Sequence, residues 1–237
     1  MFADLHTHIL YGVDDGPETL ETSIALLEKA VKDGIDNIIA TPHFYASMHG
    51  LDERISLTNE RFEEFKREIY KRNIPIKDFL LGYEVRYFKG ISKSEEIDKL
   101  CLNSSKYILL ELGQIAITDD VIDDIMQLVY SGYRVILAHL ERYAKMPGFK
   151  DLKKIINHND ILVQVTAVSF ICNPFQRAAF RLLKEGLVTF ISSDMHHDTL
   201  RPPKMTEAVR EISKQSEQKI AQKLIDNGNK LFEKIKG

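Results

Sequence analysis

Cysteine is scarce in this chain: 237 residues carry two, Cys101 and Cys172, and there is no tryptophan at all. Two thiols cannot make the disulfide framework of a small secreted domain. No uninterrupted apolar run approaches the roughly 20 residues that span a bilayer. The opening MFADLHTHIL has no basic leader and is broken by Asp4, His6 and His8, unlike a signal peptide. Neither sign of charge dominates, and a net charge of −3 gives no electrostatic reason to expect a nucleic-acid or membrane-surface partner. These absences predict a cytoplasmic protein with no membrane insertion and no nucleic-acid partner.

What is present is an ordinary globular composition, 44% hydrophobic and 28% charged, at a length that suits one α/β domain over residues 1–237. Short β-rich runs alternate with longer amphipathic ones. Phe2–Leu5 reads as a buried strand. Pro17 opens a helix in which Leu20, Ile24, Leu27 and Val31 recur at helical spacing, and Gly34 ends it. Ile35–Ala40 is a second strand, a charged helix follows over about Asp52–Lys71, and a third strand runs from beyond Pro75 to about Glu84. Tyr107–Leu112, Arg134–His139, Ile161–Thr166 and Leu187–Ser192 complete a set of seven. Helical segments separate nearly all of them, which implies βα units with parallel strands. A closed or nearly closed barrel is predicted. Periodicity leaves an open doubly wound sheet as the alternative.

Potential metal ligands fall at the C-terminal ends of these strands. His6 and His8 follow the first, in an H-x-H whose period of two points both rings to one side. Asp14 and Asp15 lie in the next loop, His43 follows the second strand, and Glu84 ends the third. Glu111 ends the fourth, His139 the fifth, and Asp194 and His196 follow the seventh. In a parallel barrel every C-terminal strand end opens on the same face, so residues spread along the chain converge. A lone H-x-H or strand-end Glu has an ordinary reading as a core or rim residue. Six of seven strands delivering such a group at the same end does not. Mixed imidazole and carboxylate donors suit Zn, Mn or Fe better than Mg or Ca, and the lack of thiolates argues against a closed structural zinc site. Of the other histidines, His158 reads as solvated and His197 as pointing away from its neighbour, while His49 is a candidate for the mouth.

The stretches DLHTHILYGVDDGPETLETS, IIATPHF, GYEVR, YILLEL, ILAHLERY and ISSDMH, followed by Arg201, stand in the order of a known family. Over Asp4 to Arg201 the chain resembles the PHP-domain (polymerase and histidinol phosphatase) superfamily. Within it, the chain is similar to the bacterial manganese-dependent protein-tyrosine phosphatases of capsule and exopolysaccharide clusters. The resemblance implies a distorted (β/α)7 TIM-like barrel, the PHP fold, holding two or three ions, Mn2+ with Zn2+ or Fe as alternatives. It places His6, His8, Glu84 and Asp194 on a first metal. Glu84, Glu111 and His139 fall on a second, and Asp15, His43 and His196 on a third. Arg142 and Arg201 match the family's phosphate-binding arginines. The implied reaction is hydrolysis of phosphotyrosine on a protein by hydroxide held between metals. The implied partner is the Tyr-rich tail of a capsule-cluster tyrosine kinase. Two departures stand out: Leu140 replaces the usual Pro of H-P-E-R, and VTAVSF follows the sixth strand where the family is small and polar.

Physical chemistry supports that assignment. Metals about 3.5–4 Å apart lower the pKa of bridging water and screen a phosphate's charge, and arginine forks match phosphoryl oxygens. Without the constellation, Arg142 would read as the ion-pair partner of Glu141 and Arg201 as a solvated loop residue. Thiol chemistry is excluded. It needs a cysteine, five residues and then an arginine, and the corresponding places are Tyr107 and Ala178, with Arg177 one residue short. Three rivals remain: a histidinol-phosphate or other small-molecule phosphatase, an amidohydrolase, and a metal-binding regulatory protein without catalysis. The second shares the opening H-x-H but commonly uses a carboxylated lysine at strand four, where this chain has Glu111.

Overall fold

The structure, a computed structural model, describes every residue except His49, Cys172 and Asn173. Its strands are Phe2–Thr7 (β1), Ile35–Ala40 (β2), His43–Phe44 (β3), Asp78–Leu81 (β4), Glu84–Arg86 (β5), Tyr107–Glu111 (β6), Arg134–Leu137 (β7), Leu162–Thr166 (β8) and Phe190–Ser192 (β9). Between and after them run Leu20–Lys32 (α1), Leu51–Lys71 (α2), Asp119–Tyr130 (α3), Phe149–His158 (α4), Gln176–Lys184 (α5), Met205–Gln215 (α6) and Gln218–Lys236 (α7). β2 and β3 are halves of one strand interrupted at Thr41 and Pro42; β4 and β5 are halves of another, interrupted at Gly82 and Tyr83. The nine segments therefore fall on the seven expected lines. Pro42 explains the first break, since it has no N–H for a ladder.

Every strand pairing is parallel, in the orders β4-β2-β1 and β3-β5-β6-β7-β8-β9. The two sheets meet at the upper, C-terminal ends of β1 and β9. There Thr7 bridges to Met195, the Asp194 N–H donates to His6 O at 3.0 Å, and the His8 N–H donates to Met195 O at 2.9 Å. Below that seam β1 and β9 part, and α7 takes the ladder's place. Asn229 Oδ1 accepts the Ala3 N–H and Asn227 Nδ2 donates to Thr189 O, both at 2.8 Å. The sheet is curled into a distorted TIM-like barrel, zipped at the top and plugged from below.

Strand alternation divides the core in two. Outward residues such as Ile38, Ile108, Leu110, Leu137 and Val163 pack on Ile24, Leu27, Ile125, Leu152 and Leu182 of the surrounding helices. Inward residues Ala3, Leu5, Ile39, Leu109, Ile136 and Phe190 pack on Leu231, Phe232 and Ile235 of α7. Each such buried large side chain contributes about 1.5–3 kcal/mol. Two expected starts move by three residues: the last strand begins at Phe190, not Leu187, and α1 begins at Leu20, not Pro17, because Thr19 caps it. Its hydroxyl accepts the Thr22 N–H while Thr22 Oγ1 accepts the Thr19 N–H, a reciprocal arrangement that Pro17 has no side chain to make.

Candidate metal centre

The strand ends carry the polar side chains over the apolar barrel floor. Two of these positions bend the backbone sharply: His139 has φ +34° and Asp194 φ +53°, the left-handed region that residues with a Cβ avoid. Such a conformation costs about 1–3 kcal/mol and persists only where its surroundings hold it. Both residues sit just past a strand end, where the bend turns the side chain inward. Gly16 makes another close approach possible, since a Cβ there would lie 2.2 Å from His8 O. Only a glycine lets the VDDGP loop fold back over the H-x-H.

Glu84, fully buried, is the hub. Its Oε2 lies 3.3 Å from His6 Nε2, 3.2 Å from His8 Nε2 and 2.9 Å from His43 Nδ1, while Oε1 lies 2.7 Å from His139 Nε2. Glu111 Oε1 is 3.8 Å from the same His139 nitrogen. Asp194 divides the centre. Its Oδ1 faces the imidazoles of His6 and His8 at 3.6 Å and of His196 at 3.7 Å. Its Oδ2 is paired with both arginines, with Arg142 Nη2 and with Arg201 Nη2 at 2.8 Å. Asp15 joins His196 Nε2 at 3.1 Å and His43 Nε2 at 3.6 Å. Arg142 therefore pairs with Asp194 rather than with its neighbour Glu141. That carboxylate is buried and accepts from the Thr166 N–H at 3.3 Å and Ser169 Oγ at 2.8 Å, which ties VTAVSF to the centre. Leu140, in place of proline, is fully buried in the outer core.

The electrostatics follow from burying acids and imidazoles together. Burial pushes the carboxyl of Glu84 up, but His6 and His43 outweigh it and hold the group well below its ordinary range. Asp194 is likewise held low, by His6, Arg142 and Arg201 against burial. Contact with His196 holds Asp15 at about 2. Burial would lower His8, yet Asp14 and Glu84 raise it to about 10. Burial and the Arg142 charge take His139 down to about 4, and burial with His8 does the same to His196.

Three groups of donors lie close enough to hold a cation: His8, Asp15, His43 and His196; His6, His8 and Asp194; and His43, Glu84 and Glu111. Within each, the donor atoms lie within 4.8 Å of one another. Glu84 Oε2, Glu111 Oε2, His43 Nδ1 and His196 Nε2 are buried and, although they stand close to one another or to Asp15, none makes a well-directed hydrogen bond. Buried polar atoms are ordinarily satisfied, so these atoms fit a metal that would use them. All nine residues expected as ligands come together here. His43 belongs to both the first and the third of these groups, nearer to Glu84 and Glu111 than the resemblance implied. His158 is exposed at the end of α4, and His197 tilts away, its ring 6.4 Å from that of His196. Cys101 is buried, which pushes its thiol to about 12, far from a reactive thiolate. His49 and Cys172 lie outside the described residues.

Three participants escaped the sequence reading, and Asp14, read from the sequence as a potential ligand, sits behind one instead. Asp14 Oδ2 sits 2.7 Å from His8 Nδ1 and accepts the His43 N–H at 3.0 Å, leaving His8 Nε2 to face the centre. Gln164 Oε1 lies 3.2 Å from His6 Nδ1 and accepts the His139 N–H at 2.6 Å. Tyr143 Oη lies 3.0 Å from His139 Nδ1 and accepts the Leu112 N–H. Arg54, buried, donates to the carbonyls of Val13 and His43 and so joins two of the loops. Only Gln164 left a trace, as a lone amide in the apolar run ILVQVT.

The family described as capsular polysaccharide synthesis, CpsB/CapC, matches residues 2–233. The chain belongs to that family. It is 28% identical over 239 residues to the tyrosine-protein phosphatase CpsB of Streptococcus agalactiae serotype III (strain NEM316), covering 97% of both chains. To the tyrosine-protein phosphatase YwqE of Bacillus subtilis (strain 168) it is 27% identical over 237 residues, covering 97% of this chain and 91% of that one. Among solved structures, one reported with YwqE from B. subtilis and CpsB from Streptococcus pneumoniae as unique metal-dependent tyrosine phosphatases matches with TM-score 0.84 and 25% identity. That match covers 98% of this chain and 94% of the other. An enamidase of the amidohydrolase superfamily matches with TM-score 0.58 over 98% of this chain and 66% of its own, and at 14% identity it shares the fold alone.

Proposed function

We propose that this single-domain chain is a metal-dependent protein-tyrosine phosphatase. Its substrate is the phosphorylated Tyr-rich tail of a capsule-cluster tyrosine kinase, and its setting is cytoplasmic. No helix among the described residues is long and apolar enough to cross a membrane. The observation that carries the reading is the two-sided Asp194, with imidazoles at one oxygen and two guanidiniums at the other. His6, His8, Glu84 and Asp194 would hold one ion, Glu84, Glu111 and His139 a second, and Asp15, His43 and His196 a third, Mn2+ with Zn2+ or Fe as alternatives. When bound, such ions supply Lewis-acid chemistry, lowering the pKa of water and screening the phosphate. Arg142 and Arg201 bind the phosphoryl oxygens. They have N–H groups beyond those engaged by Asp194 and strengthen their hold as charge spreads over those oxygens. Asp14, Gln164 and Tyr143 keep the rings turned, and burial of Glu84 and His139 excludes bulk water. A phenolate is a tolerable leaving group, so phosphotyrosine is favoured over phosphoserine without a dedicated general acid.

Elemental analysis should find two or three transition-metal ions per chain. Turnover of a tyrosine-phosphorylated peptide should exceed that of histidinol phosphate and should vanish on chelation. Arg142→Ala and Arg201→Ala should each lose about 10²–10³ in turnover, with metal content and fold retained, and Arg142→Lys should rescue only partly, since an ammonium lacks the planar fork. Trace metal after Mn2+ loading, or wild-type turnover in both alanine variants, overturns the reading.

A further inference from the structure

Arg86 ends β5 and is the cross-strand neighbour of Glu111 in the parallel β5–β6 ladder. Its Nη1 lies 3.2 Å from Glu111 Oε1. Its Cζ stands 5.6 Å from the centroid of the Tyr45 ring, and that ring stacks on His43 at 4.9 Å. Gly113, at φ +74°, leaves room beside it, because a Cβ there would fall 1.9 Å from Nη1 and 2.7 Å from Cζ. The guanidinium thus lies in a slot between an aromatic ring, a carboxylate and bare backbone, a setting that favours a planar cation.

The consequence is read on Glu111. Its Oε1 is engaged by Arg86, whereas its Oε2 is buried, has no hydrogen bond, and lies 3.9 Å from His43 Nδ1. Glu84, a second carboxylate, occupies the same group of donors. Like charges brought this close repel, and a free Glu111 side chain would relieve the strain by turning toward solvent. Tethering one oxygen from the adjacent strand prevents that turn and fixes where the other oxygen points. We infer that Arg86 is a positioning residue that holds Glu111 with Oε2 directed at the metal centre, so that Arg86 sets the affinity for one ion without touching it. Arg142 and Arg201 act on another carboxylate, Asp194, and do not substitute for it. The inference rests on the proposed role of Glu111 as a ligand.

The test is a titration of metal-free protein with Mn2+, with free ion followed by electron paramagnetic resonance. Arg86→Gln should weaken one class of bound ion about 10–100-fold, the usual effect of losing a group that orients a ligand. The other ions should keep their affinity, and turnover should return in excess Mn2+. Arg86→Lys should lie between. Gly113→Ala keeps the arginine but intrudes on its slot, and it should weaken the same class. Glu111→Gln should abolish that class. Retention of every ion by Glu111→Gln refutes Glu111 as a ligand. Loss of an ion in Glu111→Gln, with wild-type affinities in Arg86→Gln, overturns the positioning role alone. So does an Arg86→Gln protein with wild-type affinities and reduced turnover at saturating Mn2+, which would place Arg86 on the substrate.

Discussion

At the lower end of the barrel the inward side chains are Leu5, Leu109, Ile136 and Phe190, closed off by Leu231, Phe232 and Ile235. One to four residues further along the chain, at or just past the ends of those strands, they are His6, Glu111, His139 and Asp194, all buried. The same polypeptide runs provide both, and the two ends do opposite things to stability. Apolar side chains gain from leaving water, whereas buried acids and imidazoles are tolerated only through one another and through an ion they could hold. The floor holds the fold together, and the rim spends part of that stability on a reactive site.

The contrast breaks most sharply at Glu84 and Phe232. Glu84→Gln should drop bound metal and reduce turnover at least about 10³-fold, because metal stabilisation of a transition state is worth several kcal/mol. Its far-UV circular dichroism should stay native. Phe232→Ala leaves a cavity in the plug and should cost about 3–5 kcal/mol of stability, or roughly 10 °C in Tm. Its ion content and its kcat below the transition should remain those of the wild type. Loss of ions in Phe232→Ala would show that floor and rim are not separable.

How much of this was legible in the sequence depends on how local each signal is. Strands and helices announce themselves by periodicity, and strand-end acids and histidines stand out because parallel strands send them to one face. The convergence of the nine expected residues was legible for that reason. Partnerships across the fold leave no local trace. Gln164 reaches His6 across 158 positions, and Arg54 reaches the His43 carbonyl from the next helix. Adjacency also misleads. Glu141 and Arg142 are neighbours in sequence, yet the short 3-10 turn Leu140–Tyr143 sends the acid to Ser169 and the arginine to Asp194. The role of α7 as plug was invisible too, since an amphipathic pattern gives a face and not its partner.

The smallest effect concerns how the rim is held from outside. Tyr87, Gly90 and Ser92, just past the β5 residues Glu84 and Arg86, all donate to Asp124 of α3: Tyr87 Oη and Gly90 N at 2.9 Å, Ser92 Oγ at 2.5 Å. Burial would raise this carboxyl, but the hydrogen bonds from Ser92, Gly90 and Tyr87 outweigh it, and the group is held below its ordinary range. A folded-state pKa below the unfolded one means the ionised group adds stability. That stability is fully present above the unfolded pKa and drains away as pH falls through the folded one. Asp124→Asn removes the charge and should cost about 1.5–3 kcal/mol near neutral pH, the range for hydrogen bonds to an ionised partner. The gap between wild type and variant should narrow steadily as the solution is acidified below about pH 4, the ordinary Asp pKa. Denaturant midpoints for the two proteins across that pH range measure it. A gap independent of pH would assign the loss to packing of α3, and the tether would then owe nothing to charge.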